Sequence, residues 1–389
     1  MLRTVRRYNR SMRRDATTVS PIVEIVAELR AGNIVVLVDD EDRENEGDLV
    51  FAADFVTPEK INFLATHGRG LVCMPITADH AQRLGLSPMV ARNQSRHGTN
   101  FTASIEAAEG ISTGISAQDR ALTIKVEGSP QARPEDLVQP GHVFPLIAEP
   151  GGVLMRAGHT EACCDLARLA GLSPSAVLCE IMNDDGSMAR LPDLIEFAGR
   201  HGLKIGTIAD LIEYRSANES IVRRLTERDV ETVSGGFRMV VYRDLPSGGT
   251  HIALVCGAPR PEDDAMVRVH EPLSVVDLLE TGAGTHSWGV HEALRAIAEH
   301  GKGVMVMLNC AQTDAMLDAR LSGPPRAARD AAEVRTAALR TYGIGAQILR
   351  DLGVGRMVLM ATPRKMPSMA GFGLEVVRYA ERDAPPGRR

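Results

Sequence analysis

The pattern of apolar and polar positions at the start of the chain predicts a helix followed by a strand. Apolar side chains recur at helical spacing through residues 22–29, with Ser20 and Pro21 before them and Gly32 after them. Ser is a favoured N-cap and Pro suits the first helical position, so we expect the helix to begin there and to end at the glycine. The continuous apolar run at 34–38 then predicts a buried strand.

Helical and extended patterns alternate along the rest of the chain, which predicts an α/β architecture. Further helices are expected at 58–67, 160–171, 192–200, 207–214, 289–300 and 331–351. Further strands are expected at 71–76, 177–182, 237–243, 251–256, 303–308 and 356–361. Residues 87–120 are rich in Gly, Ser, Thr and Asn and predict strands joined by site-lining loops, whereas loops are expected at 139–160 and 310–330.

Composition narrows the class of protein. The 389 residues are 44% hydrophobic and 24% charged, with a formal net charge of -6. These values are typical of globular protein with room for two domains, and they exclude a general attraction for nucleic acid or anionic membranes. No run approaches 18 apolar residues, so no membrane span is predicted. Six cysteines without a C-x-x-C pair favour a reduced, cytoplasmic chain.

Changes in composition divide the chain into five segments. Residues 1–19 form a basic tail, whose first fourteen positions hold six arginines and no acid. A targeting segment is the alternative, although no apolar core of signal-peptide type is present. Residues 215–235 are polar, charged and poor in large apolar groups, which predicts a linker between domains at 20–214 and 236–380. Residues 381–389 form a C-terminal tail.

An unusually acidic segment follows the first predicted strand and reads DDEDRENEGD from Asp39 to Asp48. Seven of its ten side chains are carboxylates, and Arg43 is its single cation. Two carboxylates about 5 Å apart repel by roughly 3 kcal/mol at an effective dielectric near 20, so the cluster needs a cation or open water. Two interpretations stay open. The segment is either a solvated acidic loop or a divalent-metal site of oxygen ligands, in which Gly47 allows a tight turn.

A second candidate segment runs from Arg156 through Ala157, Gly158 and His159 to Thr160, where a helix is expected to begin. Unpaired N–H groups at a helix start, with a flexible Gly, a capping Thr and an Arg, suit a phosphate. A plain N-cap role for Thr160 is the alternative. His159 is either a packed core histidine or a metal ligand shared with the acidic segment. A carboxylate with an imidazole, completed by water and substrate oxygens, suits magnesium or manganese better than zinc.

Two further side chains are candidates for proton transfer. His142 lies between a glycine and Val-Phe-Pro on the expected loop. An imidazole titrates near neutral pH, which suits acid–base chemistry, although a structural role for this histidine is also open. Glu180 interrupts an apolar strand, so it must be paired, exposed at the strand end or functional.

Seven long motifs occur in order in the first half of the chain. They are VDDEDRENEGD at 38–48, IEAAEG at 105–110, TGIS at 113–116, PGHVFPL at 140–146, AGHTEA at 157–162, LCEIMNDDG at 178–186 and MARLPDL at 188–194. Together they resemble the 3,4-dihydroxy-2-butanone 4-phosphate synthase family of riboflavin biosynthesis, across residues 20–214. Motifs of this length in one order are not expected by chance.

The resemblance implies a magnesium- or manganese-dependent lyase with two ions per active site, working as a homodimer. Its reaction would convert D-ribulose 5-phosphate into 3,4-dihydroxy-2-butanone 4-phosphate and formate. Glu44 and His159 are implied as metal ligands, and His142 and Glu180 as catalytic residues. Substrate contacts are implied for Arg43, Glu44, Asp48, Arg156, Ala157, Gly158, His159, Thr160 and Glu180. This chemistry removes a proton next to a carbonyl, so it needs positioned acids and bases and a held phosphate.

Residues 236–378 resemble GTP cyclohydrolase II in part, through HIALV at 251–255, VRVH at 267–270, HEAL at 291–294 and YGIGAQILRDLGV at 342–354. Positions that this second family needs are changed here. Its three zinc cysteines fall on Leu273, Gly284 and His286, its catalytic Asp on Ala338 and its Asn-Asn pair on Ala361-Thr362, while Arg340 keeps the family's Arg. Zinc needs several thiolate or comparable donors, so we predict a degenerate domain without zinc or GTP ring opening. The alternatives are a bifunctional enzyme that keeps this activity, or a nucleotide- or partner-binding regulatory module.

Overall fold

The chain folds into two compact units, each built on a seven-stranded mixed sheet. The computed structural model describes residues 19–95, 97–270, 287–308, 343–363 and 369–381. One unit contains Met1–Val153 and Ala157–Tyr214, and the other contains Leu154–Arg156 and Arg215–Arg389. Both sheets combine parallel and antiparallel neighbours, and helices accompany both. The predicted pair of α/β folds is therefore confirmed.

The first unit holds strands β1 to β7. They are β1 (Val35–Val38), β2 (Gly47–Ala52), β3 (Cys73–Thr77), β4 (Ile105–Ala107), β5 (Leu137–Ala148), β6 (Ala176–Glu180) and β7 (Ile205–Thr207). Their order across the sheet is β4-β5-β3-β6-β2-β1-β7. β1 is antiparallel to β2 and parallel to β7, while β3 is parallel to β5. The sheet therefore brings the end of β1 next to the start of β2 and the end of β6.

Among the described residues, seven helices begin in the same unit. They are α1 (Ile22–Arg30), α2 (Pro58–Phe63), α3 (Ala78–Arg83), α4 (Ala117–Glu127), α5 (His159–Leu169), α6 (Leu191–His201) and α7 (Ile208–Asn218). A five-residue π-helical turn, Leu64–Gly68, extends α2. Apolar side chains of the strands and helices form one continuous core, with Phe51, Leu64, Met74 and Ile124 fully buried within it. β1 reads VVLV and is buried at every position, as its continuous apolar pattern predicts.

Several local predictions for this unit are wrong in informative ways. Pro21, rather than Ser20, is the N-cap of α1. α3 and α4 were not predicted, and α4 begins inside the stretch expected to hold only strands and loops. The expected loop at 139–160 begins with the long strand β5. Gly and Pro are disfavoured within strands, and this hid β5 in the segment PGHVFP.

The second unit holds strands β8 to β14. They are β8 (Val222–Thr232), β9 (Gly235–Asp244), β10 (Thr250–Cys256), β11 (Asp264–His270), β12 (Gly303–Met307), β13 (Arg356–Leu359) and β14 (Glu375–Tyr379), in the sheet order β14-β13-β11-β12-β10-β9-β8. Helix α8 (Val290–His300) and helical residues 343–351 belong with them. Trp288, Phe237 and Met305 are part of the buried core.

The predicted linker at 215–235 is largely ordered structure. Its first residues continue α7, and β8 pairs with β9 as the edge strand of the second sheet. Charged side chains cover β8 because most of its positions are exposed, and this gave the segment the composition of a linker. The expected loop at 310–330 and most of the expected helix at 331–351 lie outside the described residues. No helix in the described part of the chain is long and apolar enough to cross a bilayer.

Candidate active site

The acidic segment forms the connection between β1 and β2, and Asp39 organises it. One oxygen of the Asp39 carboxylate accepts a hydrogen bond from the Glu46 backbone N–H at 2.9 Å. The other accepts from the Glu44 backbone N–H at 3.1 Å and from the Arg43 guanidinium at 2.9 Å. The Arg43 guanidinium also bonds the Glu44 carboxylate. Backbone groups and one arginine thus hold the acids in place, so this is not simply a solvated loop.

Gly47 has a different role from the one predicted. It is the first residue of β2 and pairs with Val38, while the tight turn uses Asn45, whose φ is +57°. A Cβ on residue 47 would stand 2.8 Å from Cδ2 of Leu194 and 3.1 Å from its Cγ. The close approach of α6, rather than the turn, therefore favours glycine at this position.

The imidazole of His159 links the first turn of α5 to the acidic segment. Its Nε2 lies 3.1 Å from the backbone oxygen of Leu37, and its Nδ1 lies 3.8 Å from carboxylate oxygens of both Glu44 and Asp48. A carbonyl oxygen can only accept, so Nε2 must carry the proton that it donates. In the neutral ring, the Nδ1 lone pair then points towards two carboxylates. This arrangement therefore calls for positive charge between the three groups, either a proton on Nδ1 or a bound cation.

The pKa values of His159, Asp48 and Glu44 also indicate an excess of negative charge in this cluster. Burial by itself would lower the pKa of His159, but the carboxylates of Asp48, Glu44 and Asp39 raise it to about 9. Burial raises the pKa of Asp48 to about 7, although His159 opposes the rise. Burial would also raise the pKa of Glu44, but His159 and Arg43 hold it well below its ordinary value. A proton on His159 or a metal ion beside it would balance the negative charge.

Glu180 joins this cluster from the neighbouring strand. It is the last residue of β6 and lies directly opposite Asp48 in the antiparallel β2–β6 pair. One of its carboxylate oxygens accepts the backbone N–H of Leu71 at 2.8 Å. Like charges directly opposite each other in a sheet are destabilising, so this pair also favours a bound cation or a polar substrate. Glu180 is therefore half-buried at a strand end, paired with a backbone N–H and beside the other candidate residues.

The donor set fits a divalent cation. Asp39, Glu44 and His159 each present one ligand atom, and these atoms lie within 4.8 Å of one another. Carboxylate oxygens with one imidazole nitrogen suit Mg²⁺ or Mn²⁺. The Leu37 carbonyl supplies the partner that usually fixes the tautomer of a metal-binding histidine.

The segment from Arg156 to Thr160 is buried or nearly so, and it differs from prediction in one detail. α5 begins at His159, its N-cap is Gly158, and that cap makes no side-chain hydrogen bond. Thr160 is therefore a residue of the first helical turn rather than the N-cap. Arg156 is buried and groups with the second compact unit, whereas Ala157 and the residues after it group with the first.

His142 lies on β5, rather than on the loop that was expected, and its side chain is 44% exposed. Its Nδ1 contacts the Glu106 carboxylate on β4. In the sheet, strands β3 and β5 lie between Glu180 on β6 and Glu106 on β4. The structure thus brings Arg43, Glu44, Asp48, His159 and Glu180 into one cluster and shows His142 in a separate pair. Glu106 was not among the predicted site residues, although it lies in the motif IEAAEG.

Comparison with known proteins identifies the family. The sequence model of 3,4-dihydroxy-2-butanone 4-phosphate synthase matches residues 23–214. The synthase of that name from Neisseria meningitidis serogroup B is 52% identical over 364 residues, which cover 93% of this chain and 98% of the relative. The chain belongs to the 3,4-dihydroxy-2-butanone 4-phosphate synthase family. It is an enzyme with the synthase activity of riboflavin biosynthesis, and the resemblance inferred from the motifs is confirmed.

Two further relatives of this synthase extend over both units. The riboflavin biosynthesis protein RibBA of Aquifex aeolicus is 48% identical and covers 92% of this chain and 90% of its own length. A solved two-domain 3,4-dihydroxy-2-butanone 4-phosphate synthase from A. baumannii is 45% identical, with a TM-score of 0.67, covering 93% of this chain and 100% of its own. The model of GTP cyclohydrolase II matches residues 223–381, as the partial resemblance implied.

The positions that argue against cyclohydrolase activity lie mostly outside the described residues of the synthase. This holds for Leu273, Gly284, His286, Ala338 and Arg340. Ala361 and Thr362 are described and follow β13.

Proposed function

We propose that Glu44 and His159 hold the catalytic magnesium or manganese, with two ions per active site. The observation that carries this proposal is the commitment of His159 Nε2 to the Leu37 carbonyl, which leaves Nδ1 facing Glu44 and Asp48. Asp39 already accepts three hydrogen bonds within the loop, so we assign it the role of holding the loop in place rather than that of a main metal ligand. A bound divalent cation would supply positive charge next to the substrate oxygens on which negative charge develops.

The reaction is the conversion of D-ribulose 5-phosphate into 3,4-dihydroxy-2-butanone 4-phosphate and formate. Arg43, Glu44, Asp48 and Glu180, together with residues 156–160, bind the substrate. In this assignment Glu180 and His142 move protons to and from the substrate carbons and oxygens. Carboxyl and imidazole groups are side chains that enzymes use as general acids and general bases. The phosphate is held at residues 156–160, and holding it there orients the reacting carbons.

The enzyme is proposed to act as a homodimer in the cytoplasm, with its synthase domain at residues 20–214. The family resemblance supports the dimer, and the reduced-cysteine composition supports the location. Sedimentation of the purified chain at micromolar concentration tests the oligomeric state. A single species with the mass of one chain would contradict the dimer.

The second half is proposed to be a degenerate GTP cyclohydrolase II domain without zinc. Its support is the replacement of the three zinc cysteines by Leu273, Gly284 and His286. Two observations favour the bifunctional alternative: the cyclohydrolase II model matches residues 223–381, and several relatives, the Aquifex aeolicus protein among them, bear the name RibBA. A regulatory module that binds a nucleotide or a partner is the third candidate.

One paired assay tests these assignments on the full chain. Formate release from ribulose 5-phosphate and from GTP is followed separately, with magnesium and trace zinc supplied and bound zinc quantified. Turnover of ribulose 5-phosphate alone, without bound zinc, supports one active domain. Turnover of GTP with stoichiometric zinc would overturn the degenerate assignment. A chain truncated after about residue 218 then shows whether the second half alters activity, nucleotide response or association.

A further inference from the structure

Glu106 and His142 form a pair of side chains that the sequence did not connect. The Glu106 carboxylate bonds Nδ1 of His142 across the β4–β5 pair. The Glu106 side chain is only 14% exposed, whereas that of His142 is 44% exposed. The carboxylate is therefore largely buried, whereas much of the imidazole ring faces solvent.

The local backbone is built to make this contact. Neighbouring residues Ile105 and Glu106 pair with Val143 and Val138 of β5, so four residues of β5, 139–142, have no counterpart on β4. Extra residues of this kind bend a strand and redirect its side chains, and they are enriched next to active sites. Here the irregularity ends at His142 and turns its ring towards the carboxylate.

Two glycines close over Glu106. A Cβ on Gly114 would clash with the Glu106 carboxylate and would stand 2.8 Å from His142 Nδ1. A Cβ on Gly141 would clash with the Glu106 Cγ and with the Ile105 backbone. Gly114 is held in place by Asp119, whose carboxylate accepts hydrogen bonds from the Gly114 N–H at 3.0 Å and from the Ser112 hydroxyl at 2.7 Å. The absence of side chains at Gly114 and Gly141 thus leaves the room in which Glu106 and His142 meet. A chance contact at the protein surface would not depend on such close packing.

We infer that Glu106 is the positioning residue of the synthase reaction that fixes His142 with Nδ1 protonated and Nε2 available as the acid–base nitrogen. A carboxylate accepts a hydrogen bond, so it selects the tautomer in which Nδ1 donates. When Nε2 takes a proton from a substrate carbon, the C–H bond breaks, an N–H bond forms, and the electron pair moves to the substrate carbonyl. The positive charge left on the ring is then balanced by Glu106.

This inference rests on the proposed catalytic role of His142, and its test separates the two. Glu106→Gln keeps the shape of the side chain and removes its charge. Glu109→Gln is the matched control, because Glu109 is an exposed carboxylate of the same segment. The variants His142→Gln and Glu106→Gln/His142→Gln complete a double-mutant cycle. Turnover and KM are measured for formate release from ribulose 5-phosphate with magnesium, on full-length chains with native circular dichroism.

We expect Glu106→Gln to lower kcat by about 10- to 100-fold with KM unchanged, the range found when the hydrogen-bonding partner of a metal-binding histidine is removed. Glu106→Asp, which keeps the charge, should recover part of the loss. In the His142→Gln background the Glu106 change should cost nothing more. The ¹⁵N NMR signal of His142, assigned by its absence from His142→Gln, should change from the Nδ1–H tautomer in Glu106→Gln.

Other results overturn one proposal or the other. Full activity of His142→Gln would remove the catalytic role of His142 itself. Loss of activity in His142→Gln with normal kcat and an unchanged tautomer in Glu106→Gln would remove only the positioning role of Glu106. Losses that multiply in the double variant would show that Glu106 acts independently of His142. Glu109→Gln should match the unmodified chain.

Discussion

Replacing Gly114 by Ala should separate Glu106 from His142 without replacing either of those two residues. The added Cβ would stand 2.8 Å from His142 Nδ1, and ordinary van der Waals contact begins at 3.4 Å, so the ring must retreat by at least 0.6 Å. The Glu106 carboxylate, which lies closer still to the new methyl group, must retreat further. A hydrogen bond to a charged group contributes about 1.5–3 kcal/mol, and its loss corresponds to roughly 10- to 100-fold in kcat.

The backbone of Gly114 complicates this experiment, and a second glycine controls for it. Gly114 has a φ of +86°, where an alanine costs about 1–2 kcal/mol whatever surrounds it. Gly186 has a φ of +84°, and nothing lies within 4 Å of a Cβ placed there. Gly186→Ala therefore carries the same backbone strain without the clash. Gly114→Ala should lose at least as much stability as Gly186→Ala in urea unfolding, because it adds the clash to the strain, and only Gly114→Ala should also lose turnover.

The assay is steady-state formate release from ribulose 5-phosphate at saturating magnesium, with unfolding measured on the same samples. An unchanged kcat in Gly114→Ala would refute the reasoning, because the clash would then have no catalytic consequence. An equal fall in both would assign the effect to strain alone.

Three further perturbations test other parts of the structure. Glu44→Ala should abolish synthase activity and the thermal stabilisation by magnesium while the fold is retained, and Glu41→Ala, an exposed acid of the same loop, should do neither. Gly47→Ala should destabilise the chain by about 1–3 kcal/mol in urea, because the methyl group overpacks against Leu194. Burial raises the pKa of Glu127 to about 8, so Glu127→Gln should become more stable than the unmodified chain as pH rises from 5 to 8.

The sign of the Glu127 effect follows from proton linkage. The unfolded chain releases this proton near its ordinary pKa of 4.5, whereas the folded chain keeps it until about pH 8. The folded state thus binds more protons across that interval, and its stability falls with rising pH by up to roughly 5 kcal/mol. The amide of Gln does not titrate. A stability difference between the two proteins that stays constant from pH 5 to 8 would contradict the buried carboxyl.

For the other two variants, normal turnover in Glu44→Ala or an unchanged urea midpoint in Gly47→Ala would be the contrary result.

Parts of the fold followed directly from local pattern. β1 was predicted because a continuous apolar run is buried on every side, and the helix near α6 because its apolar residues share one face. β5 and β8 were missed for opposite reasons. β5 contains Gly and Pro, which disfavour strands, and β8 is covered by charges because it lies at the edge of its sheet. In both strands, pairing with a neighbour overrides the preference of the segment.

By itself, the sequence determined the family and its synthase activity, because long motifs carry the resemblance. It also named candidates for the chemically active groups, because residue type fixes what a side chain can ligate or protonate. Only the tertiary structure decided which of those candidates lie next to one another. It placed Asp48 opposite Glu180, turned His159 Nδ1 towards two carboxylates, and paired His142 with Glu106. These contacts join residues far apart in the chain, and their geometry depends on strand register and on close backbone approach at Gly47 and Gly114. Neither register nor approach is encoded in any single segment.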